Sequence, residues 1–414
     1  MITTAFAPTA LSTADNLADA LADPGSVWPN GRPDGGLSWP QSLAGGVSGI
    51  ALLHIERART GHGDWDTAHT WLTASLHGEI SAAANANLFF GVPALAFLVH
   101  RAASASSRYN RLLERLDTAA ITVTRRRLAK AHSRMDCAGR PPMEEFDLIQ
   151  GLSGLGAYHL SRHPHHEITH EVLAYLVRLT ELRPGESGLP PWWMDVGPTG
   201  APHPDYPGGH GNFGLAHGIG SALAVLSQAV LHGLTTPGLS LAIERICAWM
   251  DRWRHGDEAS PWWPGHITAQ QAAEQHLHQD LRPRPSWCYG VSGTARAQQL
   301  AGLALGDRAR VRAAEGAILA ALRDPLQQAK LPEIGLCHGM AGLLHATWRM
   351  GTETDNPEIA VELPQLAARL ISALNQDDHP PELLDGTAGA ALALHTLGTG
   401  RAPAPHWDTF LALA

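Results

Sequence analysis

The sequence has few cysteines, little charge and no lysine-rich stretch. Only four of its 414 residues are cysteine, too few for a disulfide framework in a chain of this length. Charged residues make up 17%, the formal net charge is −9, and no basic run is long enough to follow a phosphate backbone. We therefore expect a reducing compartment and no nucleic-acid partner.

Export and membrane signals are also missing. No apolar stretch reaches the ~20 residues that are needed to cross a bilayer. The first 25 residues lack a basic start followed by an apolar segment, so no signal peptide is predicted. We expect a cytoplasmic protein. The chain does contain 44% hydrophobic residues, which indicates a substantial folded interior.

Glycine provides the pattern that organises the chain. Seven short glycine motifs, each followed by an Ala/Leu-rich run, have as their first glycines Gly46, Gly91, Gly151, Gly218, Gly290, Gly339 and Gly386. The shorter intervals between them fit two helices and their turns. Segments between the motifs, such as 112–131 and 240–253, have apolar residues at helical spacing. The sequence predicts an all-α single domain, 1–414, of seven α-hairpin repeats, with a closed ring of inner helices surrounded by outer ones.

Two long segments interrupt the repeats. Residues 184–211 and 260–285 are rich in Pro, Gly, Trp and His, and each precedes a motif with chemically active residues. Loops of this length in a compact fold are usually functional or disordered. We predict that they are rim loops beside the site. No strand-rich insertion is expected anywhere in the chain.

Chemically active residues recur at equivalent positions of neighbouring repeats. Cys288 and Cys337 each stand two residues before the first glycine of their motif, and His338 follows Cys337. Equivalent positions should lie side by side, on helices whose axes are ~8–10 Å apart. Two thiolates ~2.3 Å from a metal, with one imidazole nitrogen, make a three-ligand zinc site whose fourth position is left for water or substrate. The sequence predicts one Zn²⁺ per chain at these three residues.

Two alternatives to this site stay open. A purely structural zinc site needs a fourth protein ligand, and His210, in a loop, is the best candidate. Without metal, the cysteines are small buried side chains, which is what we expect of Cys137 and Cys247. The shared repeat position of Cys288 and Cys337 favours zinc for that pair.

Five separated features of the sequence resemble one known family, the lanthionine synthetase C-like family of lantibiotic cyclases. The features are WCYG (287–290), CHG (337–339), LAHG (215–218), DLIQGLSG (147–154), and Arg284 four residues before Cys288. The resemblance covers nearly the whole chain and departs from the pattern at Pro93 and Ala94, where Ser and Gly are expected. It implies an α/α toroid of seven inner and seven outer helices.

The resemblance also implies the reaction. A cysteine thiol of a dehydrated precursor peptide adds to dehydroalanine or dehydrobutyrine and forms a lanthionine or methyllanthionine thioether ring. Free cysteine, with a pKa of ~8.5, is mostly protonated at neutral pH, and zinc coordination can deprotonate it. A stand-alone cyclase of this kind works beside a separate dehydratase. A complex with that enzyme and a membrane transporter, peripheral to the membrane, is compatible with the sequence.

The same resemblance gives roles to four further residues. His217 is the first candidate for proton transfer, either from the thiol or to the enolate carbon; the alternative is an ordinary histidine at a helix start. Asp147 and Arg284 fix its imidazole, or Arg284 stabilises the enolate charge, unless the two form only a structural ion pair. Tyr289 either orients one of these groups or only packs.

Three other classes of protein are alternatives to a cyclase. A non-catalytic, zinc-containing relative that binds a peptide or glutathione as an adaptor is the second hypothesis, and conversion of a dehydrated peptide separates the two. Protein prenyltransferases also activate cysteine thiols on zinc, but their metal ligands include a carboxylate. Glycosidases built on an α/α barrel need two catalytic carboxylates, whereas the motif positions here hold Cys and His.

Overall fold

The structure, a computed structural model, describes residues 6–27, 39–182, 188–277 and 282–414, and helices predominate in these ranges. In chain order the helices are α1 (Ala7–Ala20), α2 (Pro24–Val27), α3 (Val47–Arg59), α4 (Trp65–Ser75), α5 (Val92–Ala103), α6 (Asn110–Asp136), α7 (Met143–Phe146), α8 (Leu152–Arg162), α9 (Glu167–Leu179), α10 (Ile219–Leu231), α11 (Leu239–Arg252), α12 (Ala269–Glu274), α13 (Val291–Leu305), α14 (Arg308–Arg323), α15 (Pro325–Ala329), α16 (Met340–Thr354), α17 (Pro357–Leu374) and α18 (Thr387–Thr399). Short 3₁₀ helices cover Ser107–Tyr109 and Trp407–Leu411, and the strands are β1 (His210–Asn212) and β2 (His266–Thr268).

One helix begins directly after the first glycine of every motif. These motif helices are α3, α5, α8, α10, α13, α16 and α18. Most of their residues are buried, on every face of the helix, as in α10, where every residue from Ile219 to Ala229 is buried. A helix that is buried all round belongs to the interior of a fold, whereas a one-sided helix covers it. The motif helices therefore form the core of each part of the chain.

The glycines are required because the chain passes very close to the start of each motif helix. At Gly290, a Cβ atom would collide with the carbonyl oxygen of Arg284, because the preceding loop folds back over the first turn of α13. At Gly389, a Cβ atom would collide with the carbonyl oxygen of Leu383 in the motif's own loop and would lie 2.8 Å from the Leu336 side chain of the preceding repeat. The first glycine thus admits the motif's own loop, and the second admits both that loop and the neighbouring repeat.

The chain divides into two compact units. Unit 1 consists of residues 1–123 and 325–408. Within it, the motif helices pack in the order α16, α18, α3, α5, each against the next. Helix α4 packs on α3, α17 packs on α16, and α1 packs on α18. The first helix of the chain is therefore the partner of the last motif helix.

Unit 2 consists of residues 124–324 and 409–414. Its motif helices pack in the order α8, α10, α13, and α9, α11 and α14 pack against these three in turn. The end of the chain is held by side chains of this unit: the indole N–H of Trp287 donates to the Leu411 carbonyl (3.0 Å), and Arg296 Nε donates to the Leu413 carbonyl (2.9 Å). Strands β1 and β2 form an antiparallel ribbon in which His210 is opposite Thr268.

The helices predicted between the motifs are confirmed. The segment predicted over 112–131 lies in α6, and the segment over 240–253 matches α11 closely. Helix α11 buries one stripe that includes Ile243, Ile246 and Met250, as its apolar spacing predicts. The ribbon of β1 and β2 was not predicted, because each strand is only three residues long. No helix in the described ranges is long and apolar enough to span a bilayer.

A buried ionic cluster stabilises unit 1. The Asp408 carboxylate is fully buried and accepts hydrogen bonds from Arg349 Nε (2.6 Å), Arg349 Nη2 (2.7 Å) and His345 Nε2 (2.7 Å). Burial alone raises the pKa of Asp408, but the charges of Arg349 and His345 bring it well below its usual range. The cluster connects the 3₁₀ helix Trp407–Leu411 to α16.

We expect Asp408→Ala to lower the free energy of unfolding by about 3–5 kcal/mol, because it leaves the Arg349 guanidinium buried without its counter-charge. Urea unfolding followed by circular dichroism measures this, with exposed Asp378 changed to Ala as the matched control. Since the folded pKa of Asp408 is depressed, its contribution is present above ~pH 4 and is lost as the pH falls. A loss no larger than that of the control contradicts the assignment.

Candidate functional site

Main-chain hydrogen bonds connect equivalent residues of neighbouring repeats. Each of these residues stands two positions before the first glycine of its motif. In unit 1, the N–H of Cys337 donates to the Leu384 carbonyl (3.0 Å), and the N–H of Leu384 donates to the Ala44 carbonyl (3.0 Å). In unit 2, the N–H of Ala216 donates to the Cys288 carbonyl (3.2 Å). Within each unit, equivalent repeat positions therefore lie side by side, as the alignment of the motifs predicts.

In unit 1, this arrangement brings together three side chains of types that can hold a metal ion. Cys337, His338 and Asp385 each offer one ligand atom, and these atoms lie within 4.8 Å of one another. All three side chains are half-buried, and His338 Nδ1 is 3.3 Å from Asp385 Oδ1. Thiolate, imidazole and carboxylate are the donors that zinc takes in proteins. The residues present thus fit the metal that the family resemblance implies.

Asp385 was not selected from the sequence. It stands directly before Gly386, the first glycine of the seventh motif. The same position holds His217, Tyr289 and His338 in the three preceding motifs. Extending the alignment by one repeat would have found it. The position was missed because a lone aspartate before a glycine is common in loops and carries no motif of its own.

Cys288 belongs to unit 2, where its side chain is buried and its Sγ lies 3.5 Å from Ser286 Oγ. Its membership of the zinc ligand set with Cys337 and His338 stays a prediction. Of the two cysteines expected to be small buried residues, Cys247 is buried, and burial raises the pKa of its thiol to about 12. The expectation for Cys137 is wrong: it is exposed, since α6 ends one residue earlier.

Unit 2 contains a hydrogen-bonded histidine and aspartate at two motif starts. His217 stands directly before the glycine that caps α10, and Asp147 stands before α8. His217 Nδ1 is 2.5 Å from Asp147 Oδ2, and the N–H of Gln150 donates to Asp147 Oδ1 (2.8 Å). The Asp147 carboxylate is fully buried, whereas 24% of the His217 side chain is exposed. The structure thus brings two of the predicted site residues, His217 and Asp147, into direct contact, and their catalytic roles stay a prediction.

This geometry fixes what the imidazole can do. Burial raises the pKa of Asp147, and the hydrogen bond from His217 acts in the opposite direction. A carboxylate at Nδ1 holds the proton of the neutral ring on that nitrogen, so Nε2 keeps its lone pair. The same carboxylate stabilises the imidazolium once Nε2 has taken a proton. The pair can therefore accept one proton at His217 Nε2 and return it.

The two long segments bring further rings to His217. Strand β1 carries His210 and strand β2 carries His266, and their ring centroids are 5.4 Å apart. The His266 ring lies 4.8 Å from Tyr289, which lies 6.0 Å from His217. Burial, and then the charges of His210 and His217, lower the pKa of His266 to about 3, so its ring is neutral. A row of imidazole and phenol rings thus lies beside His217.

The ribbon, in the described parts of these segments, lies next to Tyr289, and the rim position stays a prediction; residues 183–187 and 278–281 lie outside the described ranges. His266 was not selected from the sequence, where only the His- and Trp-rich composition of its segment points to it. His210, proposed as a fourth zinc ligand, donates from Nδ1 to the Val196 carbonyl (2.6 Å) in this ribbon.

Arg284 lies on the loop that precedes α13. Its side chain is half-buried, and its carbonyl accepts a hydrogen bond from the N–H of Ser286 (2.8 Å). The same carbonyl oxygen would collide with a Cβ atom at position 290, which is why a glycine stands there. The backbone of Arg284 is thus part of the motif's own turn, and the role predicted for its guanidinium stays a prediction.

We expect the neutral His217 ring to carry its proton on Nδ1. In Asp147→Asn, the amide can donate to Nδ1, so the proton should move to Nε2. Long-range ¹H–¹⁵N correlation spectra, recorded about two pH units above the ordinary histidine pKa of ~6.5, distinguish the two tautomers. The spectrum of His217→Gln identifies the signals. An unchanged tautomer in Asp147→Asn would show that the carboxylate does not orient the ring.

Comparison with solved structures gives the fold class. Nisin cyclase matches with a TM-score of 0.76 and 18% sequence identity, and the match covers 98% of this chain and 96% of that one. Nisin cyclase is an α/α toroid, so the fold class predicted from the sequence is confirmed. The number of seven inner and seven outer helices stays a prediction.

Comparison with characterised and classified sequences gives the family. Nisin biosynthesis protein NisC of Lactococcus lactis subsp. lactis is 24% identical over 208 residues, which are 49% of this chain. The matched part spans about half the length of that relative (48%). The sequence profile of lanthionine synthetase C-like proteins matches residues 38–411 and so includes both clusters. The chain is therefore a member of the lanthionine synthetase C-like family.

Proposed function

We propose that the protein is a zinc-dependent cyclase that forms lanthionine and methyllanthionine rings in a dehydrated precursor peptide. The observation that carries this proposal is the hydrogen bond between His217 and Asp147, because thiol addition to a dehydrated residue needs one group that takes a proton and returns it. The pair lies at two of the motifs that resemble those of the family. An adaptor that only binds peptide or glutathione has no use for such a pair, and no observation favours it.

Cys288, Cys337 and His338 are the proposed ligands of one zinc ion per chain. Cys337 and His338 are neighbours in unit 1, and the place of Cys288 in the set rests on its repeat position and its WCYG motif. When bound, the ion supplies a positive charge that lowers the pKa of a substrate thiol. Two thiolate ligands keep the zinc electron-rich, so a substrate thiolate remains nucleophilic.

His217 handles the protons of the reaction. Nε2 takes the proton of the substrate thiol, and the sulfur attacks the β-carbon of the dehydrated residue, forming the C–S bond. The electron pair of the carbon–carbon double bond moves to the enolate, and the α-carbon is then protonated from the imidazolium. Asp147 keeps Nδ1–H in place and stabilises the charged ring during the interval. Proton transfer of this kind contributes ~10²–10⁴-fold to a rate.

Arg284 and Tyr289 complete the proposed site. A guanidinium near the enolate oxygen stabilises charge that develops only during the reaction, which is the role proposed for Arg284. Tyr289 lies between His217 and the neutral His266, so it limits the positions that the His217 ring can adopt. The neutral His266 ring places no competing positive charge beside the imidazolium.

The cellular setting is proposed on the same basis. The substrate has to be dehydrated at serine or threonine before ring closure, so a dehydratase must act first. We place the protein in the cytoplasm, in a complex with that dehydratase and with a membrane transporter that exports the product. These partners follow from the chemistry of the substrate and from the family.

Elemental analysis of the purified protein tests the zinc site. We expect about one zinc per wild-type chain and loss of zinc in Cys337→Ala and in Cys288→Ala, since each removes one of three ligands. Cys247→Ala, which changes a buried cysteine outside the ligand set, is the matched control and should keep its zinc. A metal-free wild type, purified without chelators, contradicts the proposal.

Ring formation tests the role of His217. The substrate is a synthetic peptide with one dehydroalanine and one cysteine, and the loss of its free thiol is followed by alkylation and mass spectrometry. We expect His217→Gln to slow the reaction ~10²–10⁴-fold while zinc is retained. His165→Gln changes an exposed histidine and should leave the rate unchanged. A wild type that binds the peptide without consuming its thiol would establish the adaptor instead.

A further inference from the structure

We propose that two aromatic side chains of unit 1, Trp39 and Phe90, form a subsite for an apolar side chain of the precursor peptide. Trp39 stands before the first motif, and Phe90 stands directly before the first glycine of the second motif. The inference rests on the proposed function, because it takes the precursor peptide as the ligand. It adds a place that selects the sequence of that peptide, and none of the motifs that resemble the family contains it.

Trp39 is the exposed member of this aromatic pair. Its exposed fraction is 47%, whereas every other Trp, Phe and Tyr in the described ranges is buried or half-buried. The ring centroids of Trp39 and Phe90 are 5.0 Å apart, with 50° between the ring planes, as in attractive aromatic pairs. Tryptophan is among the residues that contribute most to the binding energy of an interface. The aromatic pair therefore has the chemistry of a binding surface.

Main-chain hydrogen bonds connect the aromatic pair to the proposed metal site. Leu384, whose carbonyl accepts from Cys337, also donates its own N–H to the Ala44 carbonyl (3.0 Å). In the same loop as Ala44, the N–H of Leu43 donates to the Phe89 carbonyl (2.8 Å). The starts of the sixth, seventh, first and second motifs are thus neighbours in this order, as are the helices α16, α18, α3 and α5. The aromatic pair lies in one row with the metal-ligand candidates.

Phe90 has the repeat position that carries chemically active side chains elsewhere. It directly precedes a motif glycine, as His338 and Asp385 do. In the first motif, which lies between them in the row, this position is Gly45. No side chain from this position therefore separates Asp385 from Phe90. A peptide that lies along the row meets the metal-ligand candidates at one end and the aromatic pair at the other.

The spacing of the repeats sets the length of peptide between these two places. Neighbouring helix axes are ~8–10 Å apart, and two steps lead from the seventh motif to the second, so the distance is at most ~16–20 Å. An extended peptide covers ~3.3 Å per residue. About five or six residues therefore reach from a cysteine at the metal to the aromatic pair.

The surroundings of the two rings favour an apolar side chain as the ligand. The N–H and the carbonyl of Phe90 are both hydrogen-bonded to the main chain of Asn87 (3.1 and 3.0 Å), and the Trp39 carbonyl accepts from Ser42 N–H (2.8 Å). These main-chain groups are therefore occupied, and the pair offers ring faces to a ligand. A leucine side chain that lies on the rings leaves water, which is favourable, whereas serine has little apolar surface to bury.

Peptide affinity tests the subsite. The probe is a fluorescently labelled peptide with one cysteine, alanine in place of the dehydrated residue, and leucine about five residues from the cysteine, on each side in turn. The comparison peptide has serine in place of leucine. Fluorescence anisotropy gives the Kd of each. We expect the wild type to bind one of the leucine peptides ~10-fold more tightly than its serine counterpart, and Trp39→Ala to bind the two equally. Trp39→Phe, which keeps a ring, should retain most of this preference.

Val361→Ala is the matched control. Val361 is an apolar residue of unit 1 on α17 and is 69% exposed, so its change should leave the preference for leucine at ~10-fold. Peptides with leucine directly beside the cysteine provide a second control, because that leucine cannot reach the aromatic pair. Zinc content and circular dichroism of each variant show that the metal site and the fold are intact.

The outcomes distinguish the inference from the proposed function. Equal affinity of the wild type for both peptides, or a preference that survives in folded Trp39→Ala, overturns the inference alone. A dimeric wild type with a monomeric Trp39→Ala overturns it too, because a second copy of the chain then covers the pair. A preference that depends on Trp39, in a wild type that does not consume the thiol of a dehydrated peptide, supports the subsite and contradicts the cyclase. A wild type that binds neither peptide contradicts both.

Discussion

The close approach of the chain to the start of each motif helix is the constraint on which the rest of the structure depends. A loop can fold back over a helix start only where a side chain is missing, as at Gly290, and a second glycine, as at Gly389, admits the same loop together with the neighbouring repeat. Because the constraint recurs in each motif, the residues just before the first glycine occupy equivalent places. Hydrogen bonds such as that from Cys337 to Leu384 then fix those places to each other.

Chemically active residues occupy the position before the motif glycine for a physical reason. The residue before a motif glycine lies at the end of a loop that is held at both sides, so its side chain loses little further freedom when it binds a proton or a metal. The same position holds His217, for which we propose proton transfer, and His338, for which we propose metal binding. What differs is the distance of the carboxylate partner, which is short for Asp147 and longer for Asp385.

The sequence predicted the parts of the fold that the repeat determines. The starts of the motif helices and the all-α class follow from glycine spacing and motif position, and His217 and Asp147, both chosen from the motifs, lie in contact. The ribbon that carries His266 could not be predicted, because a three-residue strand is stabilised by its partner and leaves no periodicity of its own. The low pKa of His266 could not be predicted from the sequence either, because residues distant in sequence create the environment that lowers it.

The pairing of α1 with α18 has a consequence for how the chain folds. Helix α1 is synthesised before the helices from α2 to α17, and its packing partner α18 is synthesised only after them. Contacts of such high sequence separation form slowly, because a very long loop has to close before they repay its entropy. Until then the buried stripe of α1, which includes Ala10, Ala14 and Ala18, is exposed to other chains. Residues 124–324, by contrast, are contiguous and can begin to pack while the rest of the protein is still being made.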